Sequence, residues 1–267
     1  MVRTFMRILV LLVVLVGATG SQAQESGTTF VLVHGAFQDA AGWNPVIAEL
    51  EARGHTALTV QLPGRDAEGD LSGITLQAYR DAVIEVVEAQ QSPVVLVAHS
   101  FGGMVITATA EAIPDQIAAL VYVAAYLPAT GDSLASLAAQ DRFSLLGQEG
   151  NFLLAEDFSY AYVNPEIFAS AFCPDCDAEQ AAGVIGLREP LGPLNEPASV
   201  TADNFGAVRK AYILTAQDVV VSPQLQAQML AATPVESVYA LNTGHAPYVT
   251  QPEALAALLI QSAADGS

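Results

Sequence analysis

The chain has 267 residues, 52% of them hydrophobic and 14% charged, with a formal net charge of −19 at neutral pH. Such a composition buries a sizeable core and excludes a disordered or solvating role, and the length suits a single α/β domain. The acidity repels phosphate backbones and anionic membranes, which excludes a nucleic-acid partner and points to solubility more than to any substrate.

The chain opens with Arg3 and Arg7 ahead of an apolar run from Ile8 to Val16, and Ser21-Gln22-Ala23 puts small residues at −3 and −1 of a cleavage site. Residues 1–23 therefore read as a cleaved signal peptide, since the run is too short to span a bilayer comfortably. The expected mature protein, residues 24–267, is exported to the periplasm or secreted and keeps no stable membrane insertion.

Beyond that segment, strand-like apolar runs alternate with helical patterns, the signature of βαβ units and a parallel sheet. Predicted strands cover Phe30 to Val33, Thr56 to Val60, Val94 to Ala98, Ile117 to Val123, Tyr212 to Thr215 and Val235 to Leu241. Most are apolar throughout, as strands covered on both faces require. Predicted helices cover Pro45 to Arg53, Leu76 to Gln91, Phe101 to Glu111, Pro223 to Leu230 and Pro252 to Ala263. The second is amphipathic, with Leu76, Tyr79, Val83, Val86 and Val87 on one face and Arg80, Asp81, Glu85 and Glu88 on the other.

From about Leu127 to Gly206 the alternation stops, and aromatic residues mix with Pro and Gly without a clear strand. So long a stretch is too much for a loop in a compact domain. A mostly helical cap, about 127–206, is expected over the C-terminal edge of the sheet. Within it stand the chain's two cysteines, Cys173 and Cys176. Zinc would need further ligands, and a thioredoxin-like pair would need a strand-to-helix setting; a local disulfide or two free thiols remain.

Ala98-His99-Ser100-Phe101-Gly102-Gly103 lies between an apolar strand and an apolar helix. A sharp strand-to-helix turn exposes a serine hydroxyl, and the small residues Ala98 and Gly102 leave room for it. Upstream, Phe30 to Val33 runs into His34-Gly35-Ala36-Phe37, a turn whose backbone N–H can join the N–H after the serine in binding an oxyanion. Ala36 and Phe101 are the candidate donors.

A serine needs a base. Of four histidines, His34 belongs to the first turn, His55 leads into a strand far from the catalytic edge, and His99 occupies the inner position of the elbow. His245, between the last strand and the last helix, is the candidate. Asp218, after the strand ending at Thr215, is the candidate acid in the order Ser, Asp, His. Asp132, after the fourth strand, is the alternative.

These motifs resemble the α/β-hydrolase superfamily, and within it plant methyl-ester esterases, hydroxynitrile lyases and small bacterial carboxylesterases. The resemblance runs from Phe30 to about Ile260. It rests on His34-Gly35-Ala36 with Trp43, Gly54-His55, the elbow at Ser100, Ala124-Ala125-Tyr126-Leu127-Pro128, Tyr212 through Asp218, and Gly244-His245. It implies an α/β-hydrolase fold with a six-stranded sheet, a small-molecule ester substrate, an acyl-enzyme and no cofactor or metal. Lyases of this kind carry threonine in place of the turn glycine and lysine after the histidine; Gly35 and Ala246 stand there instead, which favours an esterase. Lactone, thioester or carbon–carbon cleavage on the same residues, and a ligand-binding homologue without turnover, are the other expectations.

Overall fold

A computed structural model describes residues 27–65, 69–184 and 186–265. The expected signal peptide, residues 1–23, lies outside them. In chain order the elements are β1 (Thr29–Val33), α1 (Asn44–Ala52), β2 (Thr56–Val60), α2 (Leu76–Glu88), β3 (Val94–His99), α3 (Gly102–Ala112) and β4 (Ile117–Val123). A second segment holds α4 (Leu134–Ala138), β5 (Phe152–Leu154), β6 (Tyr160–Val163), α5 (Pro165–Phe172), α6 (Ala178–Gly183), β7 (Glu189–Pro190) and α7 (Leu191–Asn195). The chain then returns through β8 (Lys210–Thr215), α8 (Pro223–Ala232), β9 (Ser237–Leu241), α9 (Pro247–Thr250) and α10 (Pro252–Ala264).

The six expected strands pair in the order β2-β1-β3-β4-β8-β9, and every neighbouring pair is parallel. Their apolar runs have a direct cause. In β3, Val94, Leu96 and Ala98 pack into one layer with α2 and α3, while Val95 and Val97 pack into the other with α1 and α10. Both faces are dry from Val94 to Ala98, which is why that run is apolar without a break. Burying each such side chain stabilises the fold by about 1.5–3 kcal/mol. The Thr75 side chain caps α2 by accepting from the Ala78 N–H.

The chain leaves β1 toward one edge of the sheet and returns to β3 on the other side of β1, so the order reverses between these two strands. The crevice outside their C-terminal ends is where open α/β sheets bind ligands. Gly35 and Ser100 both follow those ends.

The cap departs from expectation in one respect. Besides the short helices α4 to α7, the strands β5, β6 and β7 form an antiparallel three-stranded sheet, where no strand is expected from the sequence. These strands are two to four residues long, and Phe152 and Leu154 are exposed, so neither a long apolar run nor a clean alternation marks them. Pro190 ends the last of them on an edge, where a missing N–H is tolerated. Cys173 and Cys176 are joined by a disulfide. Among the described residues no helix is long and apolar enough to cross a membrane.

Candidate active site

Ser100 connects β3 to α3 with φ +52°, a left-handed conformation that costs a non-glycine residue about 1–2 kcal/mol. The surroundings impose it. The Ser100 N–H donates to the Val123 carbonyl at 3.3 Å, and the Ser100 carbonyl accepts from Gly103 and Tyr126, each at 3.0 Å. A Cβ on Gly102 would come within 2.9 Å of the carbonyl oxygens of Val33 and His34, so only glycine lets the helix start this close to β1.

His245 is fully buried on the loop after β9. Its Nε2 lies 3.0 Å from the Ser100 hydroxyl, and its Nδ1 lies 2.7 Å from Asp218 Oδ2. The carboxylate accepts three further bonds: the Thr215 hydroxyl at 2.9 Å on Oδ2, and the Val220 and Val221 N–H groups at 2.8 and 2.9 Å on Oδ1. These bonds fill the acceptor positions of the carboxylate, so the His245 contact is made with the Nδ1–H as donor. The Nε2 lone pair is thereby left for the serine. Asp132, the alternative acid, instead accepts from Ala129 within its own turn at 3.0 Å.

The other buried histidines have structural partners. The Leu62 N–H donates to His34 Nε2 at 3.2 Å, which leaves His34 Nδ1–H to donate to the Gly35 carbonyl at 2.9 Å. Burial, aided by the nearby Arg65 charge, lowers the His34 pKa to about 3. His99 Nε2–H donates to the backbone carbonyl of His245 at 2.7 Å, and burial, with His245 beside it, holds His99 neutral. His99 thereby fixes the loop that carries His245. Between these residues sits Gly35, where a Cβ would fall 2.8 Å from the Ser100 Cβ and 2.9 Å from His99 Nδ1. A side chain there would displace the serine.

Ala36 lines the same cavity as Ser100, and Phe101 is buried at the N-terminal end of α3, where helix N–H groups favour negative charge. The next residue, Phe37, has φ +62° and is gripped from the cap. Its N–H donates to Glu189 at 2.9 Å, and its carbonyl accepts from Leu187 at 2.8 Å. Glu189, fully buried, also pairs with Arg65 at 2.7 Å and accepts the Tyr79 hydroxyl at 2.8 Å. Burial pushes the pKa values of Glu189 and Tyr79 upward. Glu189 lies 152 residues from Phe37 in sequence, and no local signal marks it.

A second cap segment grips the loop that carries Asp218. Leu145 N–H donates to Val219 at 2.7 Å and the Ser144 hydroxyl to Val220 at 2.8 Å. Asp141 accepts from the Ser222 hydroxyl and N–H at 2.6 and 2.8 Å.

Over Ser100 opens a cavity of about 420 Å³. The sheet side contributes Ala36, Phe37 and Tyr126; the cap contributes Leu134, Ala138, Leu146, Phe152, Phe172 and Leu194. Among the described residues no carboxylate, lysine, arginine or histidine lines it. The Ser144 hydroxyl is bonded to Val220, and the Asn195 amide donates to Leu191 at 2.9 Å.

The chain has relatives among known proteins. The chain is similar to Methylesterase 7 of Arabidopsis thaliana, 30% identical over 248 residues that span 88% of this chain and 95% of that protein. It is 29% identical to Esterase PIR7B of Oryza sativa subsp. japonica over 263 residues, 90% of this chain and 97% of the other. Among solved structures, a pyrethroid hydrolase from Sphingobium faniae JZ-2 superposes with a TM-score of 0.75 at 25% identity, covering 90% of this chain and 98% of that one. The model of the alpha/beta hydrolase family matches residues 30–258, and the chain belongs to that family.

Proposed function

We propose that this protein is an exported serine carboxylesterase that cleaves small, apolar, uncharged esters. Ser100 is the nucleophile, His245 the general base, Asp218 the orienting acid, and the Ala36 and Phe101 amides the oxyanion donors. The observation that carries the reading is the buried relay from Ser100 Oγ through His245 to Asp218, at 3.0 and 2.7 Å, opening onto an apolar cavity. The names of the relatives, methylesterase and esterase, support the bond type.

His245 Nε2 takes the hydroxyl proton as Ser100 Oγ attacks the ester carbonyl, and Asp218 stabilises the imidazolium that forms. The carbonyl oxygen gains charge against the two amides. Collapse expels the alcohol, which receives the proton from Nε2. Water, deprotonated in turn by His245, attacks the acyl-enzyme and releases the acid.

The wall supports the apolar preference, because most of its described residues are aliphatic or aromatic and the Ser144 hydroxyl donates to Val220. The polar side chains among the described lining residues that keep groups for a bound molecule are Ser100, the Tyr126 phenol and the Asn195 amide, one N–H of which donates to Leu191. Burial raises the Tyr126 pKa, so it stays a neutral hydroxyl. The lyase reading has no support here: Ala246 offers no cation, and threonine at Gly35 would collide with Ser100.

The wild type is expected to hydrolyse short p-nitrophenyl esters and to be labelled by a fluorophosphonate, with esters bearing an acyl carboxylate much poorer substrates. Ser100→Ala should lose about 10⁴-fold or more in kcat and all labelling; retention of either would defeat the proposal. Export is supported by the sequence of residues 1–23 and by the disulfide, which persists in oxidising compartments. N-terminal sequencing of the exported chain should begin at Gln24.

A further inference from the structure

The segment after α5 presses against the loop that carries His245. Phe172 meets the His245 ring edge-on, with centroids 5.3 Å apart. Immediately after it, the Cys173–Cys176 disulfide closes a single turn, in which the Cys176 N–H also donates to the Cys173 carbonyl at 3.1 Å. That turn presents Asp175 to the base loop. One carboxylate oxygen accepts the Thr243 hydroxyl, and the other accepts the Gly244 N–H at 3.2 Å. The fit is tight: a Cβ on Gly244 would fall 2.4 Å from Pro174 Cδ and 2.9 Å from Asp175 Oδ1. Thr243 is fully buried. Its hydroxyl also meets that of Thr250 at 2.7 Å, and its carbonyl accepts from Gln217, next to Asp218, at 3.0 Å.

We propose that Asp175 is a positioning residue for His245, and that the Cys173–Cys176 disulfide holds Asp175 in place for this purpose. The inference rests on the reading of His245 as the base. Asp175 reaches the two residues that precede His245, and it does not line the cavity over Ser100. Its loss lets the imidazole drift from Ser100 while the substrate pocket stays intact. The two acceptor bonds act through geometry, and an asparagine can supply both contacts: its oxygen accepts from Gly244, and its amide donates to Thr243 Oγ, which can donate onward to Thr250.

Initial rates on a short p-nitrophenyl ester, combined with active-site titration by a fluorophosphonate, test this. Asp175→Ala should lower kcat by about 10- to 100-fold, the scale of a misplaced catalytic group, with KM within about twofold of wild type and the full complement of sites titrated. Asp175→Asn should stay within about threefold of wild-type kcat. Joint replacement of Cys173 and Cys176 by Ser should lower kcat in the same direction, and adding Asp175→Ala to it should lower kcat little further, because both changes act through one contact. Should Asp175→Ala prove too unstable to purify, Asp175→Ser, too short to reach the loop, takes its place with the same expectation.

Unchanged kcat in Asp175→Ala would overturn the proposal. So would activity lost only in proportion to untitrated sites, an Asn variant as impaired as the Ala variant, or cysteine and aspartate effects that multiply. A wild type that is not labelled at Ser100 would overturn the triad reading together with this one; normal labelling beside an indifferent Asp175→Ala would overturn this one alone.

Discussion

Along β3 every residue from Val94 to His99 is buried, whereas in the cap strand β5 Phe152 and Leu154 stand 37% and 42% exposed. The sheet is held by apolar area on both faces; the cap adds buried apolar side chains such as Phe168, Phe172 and Leu194 to the core, and polar contacts at defined points. Those polar contacts fall on the loops of the candidate site. The segment 141–145 holds the loop after Asp218, Asp175 holds the residues before His245, and Leu187 and Glu189 hold Phe37 beside the candidate oxyanion donor Ala36. The contrast predicts a division of labour in which burial sets whether the molecule folds, and the polar contacts from the cap set how accurately the candidate site is assembled.

The largest effect that could break this contrast is expected at Glu189. Glu189→Ala leaves Arg65 buried without its carboxylate, a change that costs about 3–5 kcal/mol, and frees the Phe37 N–H. Denaturant midpoints and kcat should fall together. In the sheet layers, Leu259→Ala removes a fully buried side chain of α10 and should cost about 2–5 kcal/mol while kcat per folded molecule stays unchanged. If the Glu189 variant loses stability with kcat intact, or the Leu259 variant loses kcat, the two regions do not divide the work in this way.

A smaller effect sharpens the comparison through pH. His34 and His99 are neutral in the folded chain, His34 with a pKa near 3 and His99 shifted the same way. The unfolded chain protonates both below about pH 6.5, so it binds more protons and stability falls as pH drops. The slope is at most about 1.4 kcal/mol per pH unit for each histidine. Glu189, pushed up by burial, acts in the opposite direction. Stability measured in urea from pH 6.5 to 5 should therefore decline, and Glu189→Gln should make the decline steeper. A flat profile in the wild type would contradict the neutral histidines.

Legibility in the sequence follows the same division. The six sheet strands are readable because two-sided burial forces unbroken apolar runs, and their ends agree with the prediction to within about two residues. Ser100 and His245 could be singled out because each sits next to such a run, where a backbone reversal leaves a short, distinctive text. Asp218 was one of two candidates until its distance to His245 was known. What escaped are contacts between distant segments with no period of their own. Glu189 and Asp175 look like ordinary surface acids in the sequence, and the hydrogen bond from His99 to the His245 carbonyl spans 146 residues. The cap strands escaped because two to four residues are too few to show a period.

The cavity wall has one further consequence, for the end of the catalytic cycle. Ester hydrolysis turns a neutral guest into a carboxylate, and a carboxylate released over Ser100 would meet no cation among the described residues of the wall, inside a chain whose formal charge is −19. An unpaired anion in such surroundings forfeits its hydration. On the proposed reading, the apolar lining that would retain an uncharged ester disfavours the acid it becomes, and turnover itself would supply the drive for the product to leave.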